Sequence, residues 1–236
     1  MKVNRRTGLL LIGSLSLVVI LILSFLPRIP QDQAYFNFAD QRNFFGIPNF
    51  FDVVSNIPIV LVGGLGLWYL LLLFFPSGSK ATGDRWVHLP YLGFFLGTFF
   101  TGFGSAFYHL EPDNESVFWD RLPMAIAFTS FLTAMITERI SLKAGLFWFL
   151  PLLISGAGSV IYWRLTEQMG MGDLRPYILV QYYSPLVIVL LLLLFLPTFT
   201  RSGDILAVLG FYGLAKVSEI LDKEIFVLGG ILSGHT

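Results

Sequence analysis

Residues 50–75, FFDVVSNIPIVLVGGLGLWYLLLLFF, decide the fold. From Ile57 onward the stretch carries no charge, and wound as a helix it is long enough to cross a hydrocarbon core of about 30 Å. Runs of similar character lie at 8–26, 88–110, 117–136, 144–165, 177–199 and 205–220, and an eighth begins near Val227 and reaches about half the needed length by Thr236. The composition agrees: of 236 residues, 55% are hydrophobic and 13% charged, with a mean hydropathy of +0.74, well outside the usual range of soluble domains. The expectation is an all-α, polytopic transmembrane helix bundle. It would have a seven-helix core preceded by one extra N-terminal transmembrane helix, with the last helix incomplete.

No polar linker is long enough to separate halves, so one polytopic unit is expected over residues 31–236 after an N-terminal segment at 1–30. That segment has Lys2, Arg5 and Arg6 before its apolar run and no small-x-small exit before Pro27, which reads as an uncleaved signal anchor rather than a cleaved signal peptide. The formal net charge is zero, so bulk electrostatics implicates no nucleic acid, and the absence of Cys excludes disulfides and thiolate metal sites. Nothing in the sequence implies a protein partner.

With the N-terminus in the cytoplasm, the loops on that side carry Lys80, Arg85, Arg139, Lys143 and Arg201. The opposite loops hold Arg28, Arg42, Arg164, Arg175 and Lys223 but most of the acids, among them Asp32, Asp40, Glu111, Asp113, Glu115, Asp173 and Asp222. The bias follows the positive-inside rule and makes the outer side the acidic one.

Two polar clusters interrupt the apolar pattern: Ser105-Ala106-Phe107-Tyr108-His109 ends one run, and Trp119-Asp120-Arg121-Leu122-Pro123 opens the next. Ionisable groups at membrane depth are costly unless paired, ligated or wetted, which makes them candidates for function. Ser105 and His109 are four apart and share a helix face. Asp120 follows a short acidic turn containing Pro112, so antiparallel neighbours could aim His109 and Asp120 at one volume, with His235 joining from the last helix. Imidazoles and a carboxylate are a ligand set of catalytic zinc. The ordinary alternative is a hydrogen-bonded or snorkelling histidine at an interface. Asp120 and Arg121 are adjacent, point to different helix faces, and do not pair well.

The segment 103–124, with GSAFYH and then WDRLPM, resembles the second and third core helices of the alkaline ceramidase family, part of the CREST group of seven-helix membrane hydrolases. Phe38-Ala39-Asp40, the string from Asn49 to Asn56, Gly172-Asp173-Leu174-Arg175-Pro176-Tyr177 and Ser233-Gly234-His235 extend the resemblance over nearly the whole chain after Pro30. The resemblance implies a zinc-dependent amidase that hydrolyses the N-acyl bond of ceramide-like lipids. His109 and His235 would be zinc ligands, Asp120 the general base or water-orienting group, and Ser105 a hydrogen-bond donor to the tetrahedral intermediate. A further family histidine would fall four positions beyond His235, so a chain truncated at its C-terminus is expected. The short loops and the anchor suggest a bacterial inner membrane, with a lipid amide substrate and membrane lipids as partners. The resemblance also implies calcium near the first core helix, where Asp40, Asn43, Asn49 and Asp52 occupy the comparable stretch. The competing reading is that Asn49 merely caps a helix start.

Lys216, Glu219 and Asp222 lie on one helical stripe, read as an intrahelical ion pair or a polar headgroup contact. Tyr162, Trp163, Trp86 and Tyr177 sit near run ends, where the headgroup zone suits them, and His88 is placed outside the site. The glycine series Gly63, Gly64, Gly66, Gly93, Gly97, Gly102 and Gly104 would let helices approach closely or open a cavity for acyl chains. Two other function classes stay open: a non-catalytic seven-helix receptor or lipid-binding protein with a structural metal, and an ion-coupled transporter using Lys216, Glu219 and Asp222.

Overall fold

The computed structural model describes residues 3–75, 85–197 and 201–236, and among these it is all-α. The helices are α1 (Arg5–Phe25), α2 (Phe50–Val54), α3 (Ile57–Phe74), α4 (Leu89–Leu110), α5 (Ser116–Arg139), α6 (Leu142–Gln168), α7 (Arg175–Ile178), α8 (Ser184–Leu194), α9 (Ser202–Ile220) and α10 (Asp222–Gly229). Among the described residues, four spans are long and apolar enough to cross a membrane: α1, Phe50–Phe74, α6 and Arg175–Leu194. Lys2, Lys80 and the end of the run expected over 177–199 lie outside the described residues.

The apolar run expected to open an eighth helix near Val227 folds differently. Val227 belongs to the last turns of α10, which closes at Gly230 in the left-handed region (φ +61°), and residues 231–236 turn back toward the bundle. Two carboxylates hold that turn. Asp222 accepts from the backbone N–H of Gly234 and of Ala39, each at 2.8 Å, and Asp52 accepts from the hydroxyls of Ser233 and Thr236, each at 3.0 Å. Asp222 therefore does not extend the stripe of Lys216 and Glu219, which pair with each other.

Helix α5 lies at the centre, buried along most of its length between α4 and α6. Three of its hydroxyls are spent on its own backbone: Thr129, Thr133 and Thr137 each donate to the carbonyl four residues back, at 2.8, 2.8 and 2.9 Å. Between α7 and α8 the backbone widens into a π turn, Leu179–Tyr183. Pro185 has no N–H for the carbonyl of Gln181, and the Tyr212 hydroxyl of α9 donates to that oxygen at 3.4 Å.

Two Asp-x-Arg motifs tie the loops at one end of the bundle. Both oxygens of Asp40 accept from Arg42 (Nε 2.8 Å, Nη2 2.6 Å), and the rest of the guanidinium donates to the carbonyls of Gly230 and Ile231 at 3.0 and 2.6 Å. Asp173 and Arg175 repeat the arrangement (2.8 and 2.7 Å), and Arg175 donates to the carbonyls of Leu23, Ser24 and Leu26 at the exit of α1. Side-chain hydrogen bonds from the two arginines hold both carboxyls below the usual carboxylate range. A carboxyl depressed in the folded state stabilises the fold fully above the unfolded carboxylate pKa, about 4, and loses that contribution as pH falls further. Asp173→Asn is expected to lower the thermal midpoint at pH 7 by several degrees, at roughly 2–4 °C per kcal/mol. The gap to wild type should narrow below about pH 4; a gap constant from pH 7 to pH 3 would refute the assignment.

Candidate functional site

Placement of the site starts at Pro123. Proline inside α5 has no N–H for the carbonyl of Trp119, four residues back, and α4 packs against that freed oxygen. Gly104 makes the approach possible: a Cβ there would stand 2.1 Å from the Trp119 carbonyl, and one at Gly97, on the same face, 2.7 Å from the backbone nitrogen of Ala127. The glycine series therefore serves helix contact at these positions. The next residue, Ser105, comes beside Asp120 and interacts with its carboxylate through its hydroxyl. One turn on, His109 reaches the end of α4 facing the returning C-terminal turn.

The imidazoles of His109 and His235 have ring centroids 5.6 Å apart at 69°. Phe38 lies against both, its centroid 4.8 Å from His109 and 4.7 Å from His235, and Tyr108 packs at 5.4 Å behind it. His109 is buried and its Nδ1 has no hydrogen-bond partner. Its backbone carbonyl, one of the open acceptors at the end of α4, takes the side-chain N–H of Asn49 at 2.8 Å. Asn49 does stand at the start of α2, yet its side chain makes no cap bond; it anchors α4 instead. His235 is half-buried, with its backbone N–H on the Ser233 hydroxyl at 3.1 Å.

The structure thus brings His109 to His235 and, separately, Ser105 to Asp120. The two imidazoles are close enough for one ion with metal–nitrogen bonds near 2.0–2.1 Å to bridge them. With the unpartnered Nδ1 of His109, the pair fits two positions of a zinc shell. Among the described residues no three His, Cys, Asp or Glu side chains converge as a metal-holding group. The suggested calcium residues are engaged in different ways. Asp40 holds Arg42, Asn49 holds the His109 carbonyl, Asp52 holds Ser233 and Thr236 through Oδ1 with Oδ2 buried and unpartnered, and Asn43 is exposed.

Asp120 also lines a cavity of about 510 Å³ between the 29–35 segment, α5, the α7–α8 junction and α9. Asp120, Arg121, Lys216, Glu219, Tyr35 and Tyr177 are among its walls. Arg121 is buried and stacked among the rings of Trp163, Tyr177 and Tyr35, 4.7, 5.2 and 5.4 Å from their centroids. Trp163 and Tyr177, expected in the headgroup zone, are buried at 0% and 3% exposure because they house this cation. Trp86 and Tyr162 are exposed as expected. Sequence reasoning missed the Phe38 wall, the Asn49 anchor and the Arg121 box. Only the Arg-adjacent Asp120 hinted at the last.

In comparison with known proteins, the chain matches no family model, no curated protein and no solved structure.

Gly104→Ala should displace α4 from α5, costing about 1–3 kcal/mol as overpacking against backbone. Gly158→Ala, where a Cβ meets nothing within 4 Å, serves as the control and should leave the thermal midpoint unchanged or raised. Equal midpoints for the two variants would show that the α4–α5 contact is looser than described.

Proposed function

We propose that this chain is a multi-pass membrane amidase core that holds zinc and hydrolyses the N-acyl bond of a ceramide-like lipid. The observation that carries the reading is the approach of His109 and His235, two imidazoles distant in sequence and 5.6 Å apart between ring centroids. The reading includes a seven-helix core behind the α1 anchor, an N-terminus in the cytoplasm of a bacterial inner membrane, and a site near the outer boundary, where a lipid amide lies.

His109 and His235 are the residues that would hold zinc. When bound, zinc supplies Lewis acidity toward an amide carbonyl and acidifies water. The chain's own groups do the remainder. Asp120 has an unpartnered buried oxygen, Oδ1, to accept a proton from water and return it to the departing amine. Ser105 turns its hydroxyl toward the same region and can donate to an oxygen that gains negative charge. Phe38 covers one side of the imidazole pair, limiting water there. Asn49 is a positioning residue, fixing the last turn of α4 through the His109 carbonyl. Calcium at Asp40, Asn43, Asn49 and Asp52 belongs to the same proposal and would compete with Arg42 for Asp40. A thermal midpoint lowered by a calcium chelator would support it, and an unchanged midpoint would remove it.

The test is zinc content and release of amine from a fluorescent N-acyl sphingoid base in detergent micelles. His109→Ala and His235→Ala should lose bound zinc and turnover together. Ser105→Ala and Asp120→Asn should retain zinc while turnover falls by about 10²–10³-fold and 10²–10⁴-fold respectively. Zinc retained in full by both histidine variants would overturn the assignment. Zinc bound through the pair without turnover on any lipid amide would favour a receptor with a structural metal.

A further inference from the structure

The cavity beside Asp120 contains charged groups that the proposed hydrolysis does not use. Arg121 lines it at 6% exposure, and its Nη1 is buried without a hydrogen-bond partner. Among the described residues no carboxylate lies within 4 Å of its guanidinium, since the ion pairs there are Arg42–Asp40, Arg164–Glu115, Arg175–Asp173, Arg201–Asp204 and Lys216–Glu219. The aromatic rings around it satisfy its faces and leave its N–H edge open. A buried cation with an unmet donor is costly unless an acceptor completes it. A guanidinium edge presents parallel donors suited to a planar carboxylate or to two oxygens of a phosphate or sulfonate.

The other walls add to the specification. Glu219 is satisfied already, taking the Tyr35 hydroxyl at 3.1 Å and the Lys216 ammonium. Asp120 Oδ1, also buried without a partner, is left to the water of the hydrolysis. The occupant that completes Arg121 therefore carries an oxyanion. Met124 lines this cavity and also a second, apolar one of about 190 Å³ among Phe94, Phe128, Phe131, Ile188 and Tyr212. A polar chamber and an apolar groove that share Met124 as a wall fit an amphiphile, with its head at Arg121 and its chain beyond Met124 once that side chain turns aside.

We propose that this cavity is a headgroup subsite in which Arg121 receives an oxyanion, so that among ceramide-like lipid amides this protein prefers those whose head carries a carboxylate, phosphate or sulfonate. The inference rests on the amidase reading for the word substrate and stands apart from it as a binding site. Hydrolysis of such a compound balances with water alone: the acyl C–N bond breaks, the water oxygen joins the acyl carbon, and the amine leaves with the proton. Selectivity lies in the charge of the head, because an uncharged head of similar size would leave the guanidinium edge unmet.

The whole chain in a maltoside detergent is titrated with N-dodecanoylglycine and with N-dodecanoylethanolamine, which keep the amide and chain and differ in head charge. Binding is followed by tryptophan fluorescence and equilibrium dialysis, and turnover is recorded separately. Wild type should bind the carboxylate probe at least ten-fold more tightly. Arg121→Gln should erase the difference while affinity for the ethanolamide stays the same, which also reports an intact fold, and Arg121→Lys should keep part of the preference. N-dodecanoyltaurine and an N-dodecanoylphosphoethanolamine then rank the three oxyanions. Equal affinity of wild type for the charged and uncharged probes overturns the proposal whatever the variants do, as does a preference that survives in a folded Arg121→Gln. Selective binding without hydrolysis of any probe leaves the subsite standing and removes the amidase reading.

Discussion

The close approach of α4 to α5 is the constraint on which the rest depends. Proline at position 123 removes one donor from the ladder of α5, and a glycine on the neighbouring helix meets the oxygen left over. With any side chain at residue 104 the two backbones would stand further apart, and Ser105 would no longer lie against Asp120. The same face carries Gly97 a further two turns down, so the contact is a seam and not a single point. His109 inherits its position from that seam, and Asn49 secures the helix end from the other side.

Buried carboxylates are met in two ways. Asp40 and Asp173 each take the full fork of a neighbouring arginine, which spends its remaining N–H groups on carbonyls of a distant segment. Asp222 and Asp52 instead take N–H and hydroxyl donors from the C-terminal turn. Through these bonds the four acids bring the 29–49 segment, the α6–α7 loop and the C-terminal turn to one end of the bundle. The buried atoms left without a partner among the described residues include His109 Nδ1 on α4 and Asp120 Oδ1 and Arg121 Nη1 on α5.

Much of this was legible in the sequence. The apolar runs marked the helices to within a few residues, because burial in lipid or in protein asks for the same residue types. The i, i+4 spacing of Ser105 and His109 placed both on one face of α4. Hydropathy weakens where protein replaces lipid: α5, the most enclosed helix, is not among the most apolar spans, since its threonines are satisfied internally. What pattern could not supply was the tertiary meeting of short polar strings. Phe38 against two imidazoles, Asn49 on a helix-end carbonyl, and Trp163 turned inward toward Arg121 all depend on which loops converge, and convergence leaves no periodic trace. The turn at Gly230 was masked by the apolar residues around it, which read as the start of another span.

The claim at the centre of the account is that His109 and His235 share one metal ion. X-ray absorption at the zinc edge of the purified protein reads this directly, through multiple scattering from imidazole rings bonded near 2.0–2.1 Å. The account predicts at least two imidazoles in the wild-type shell, and no zinc held in that shell by His109→Gln or His235→Gln. A zinc shell that contains no imidazole, or one unchanged in both variants, would contradict it.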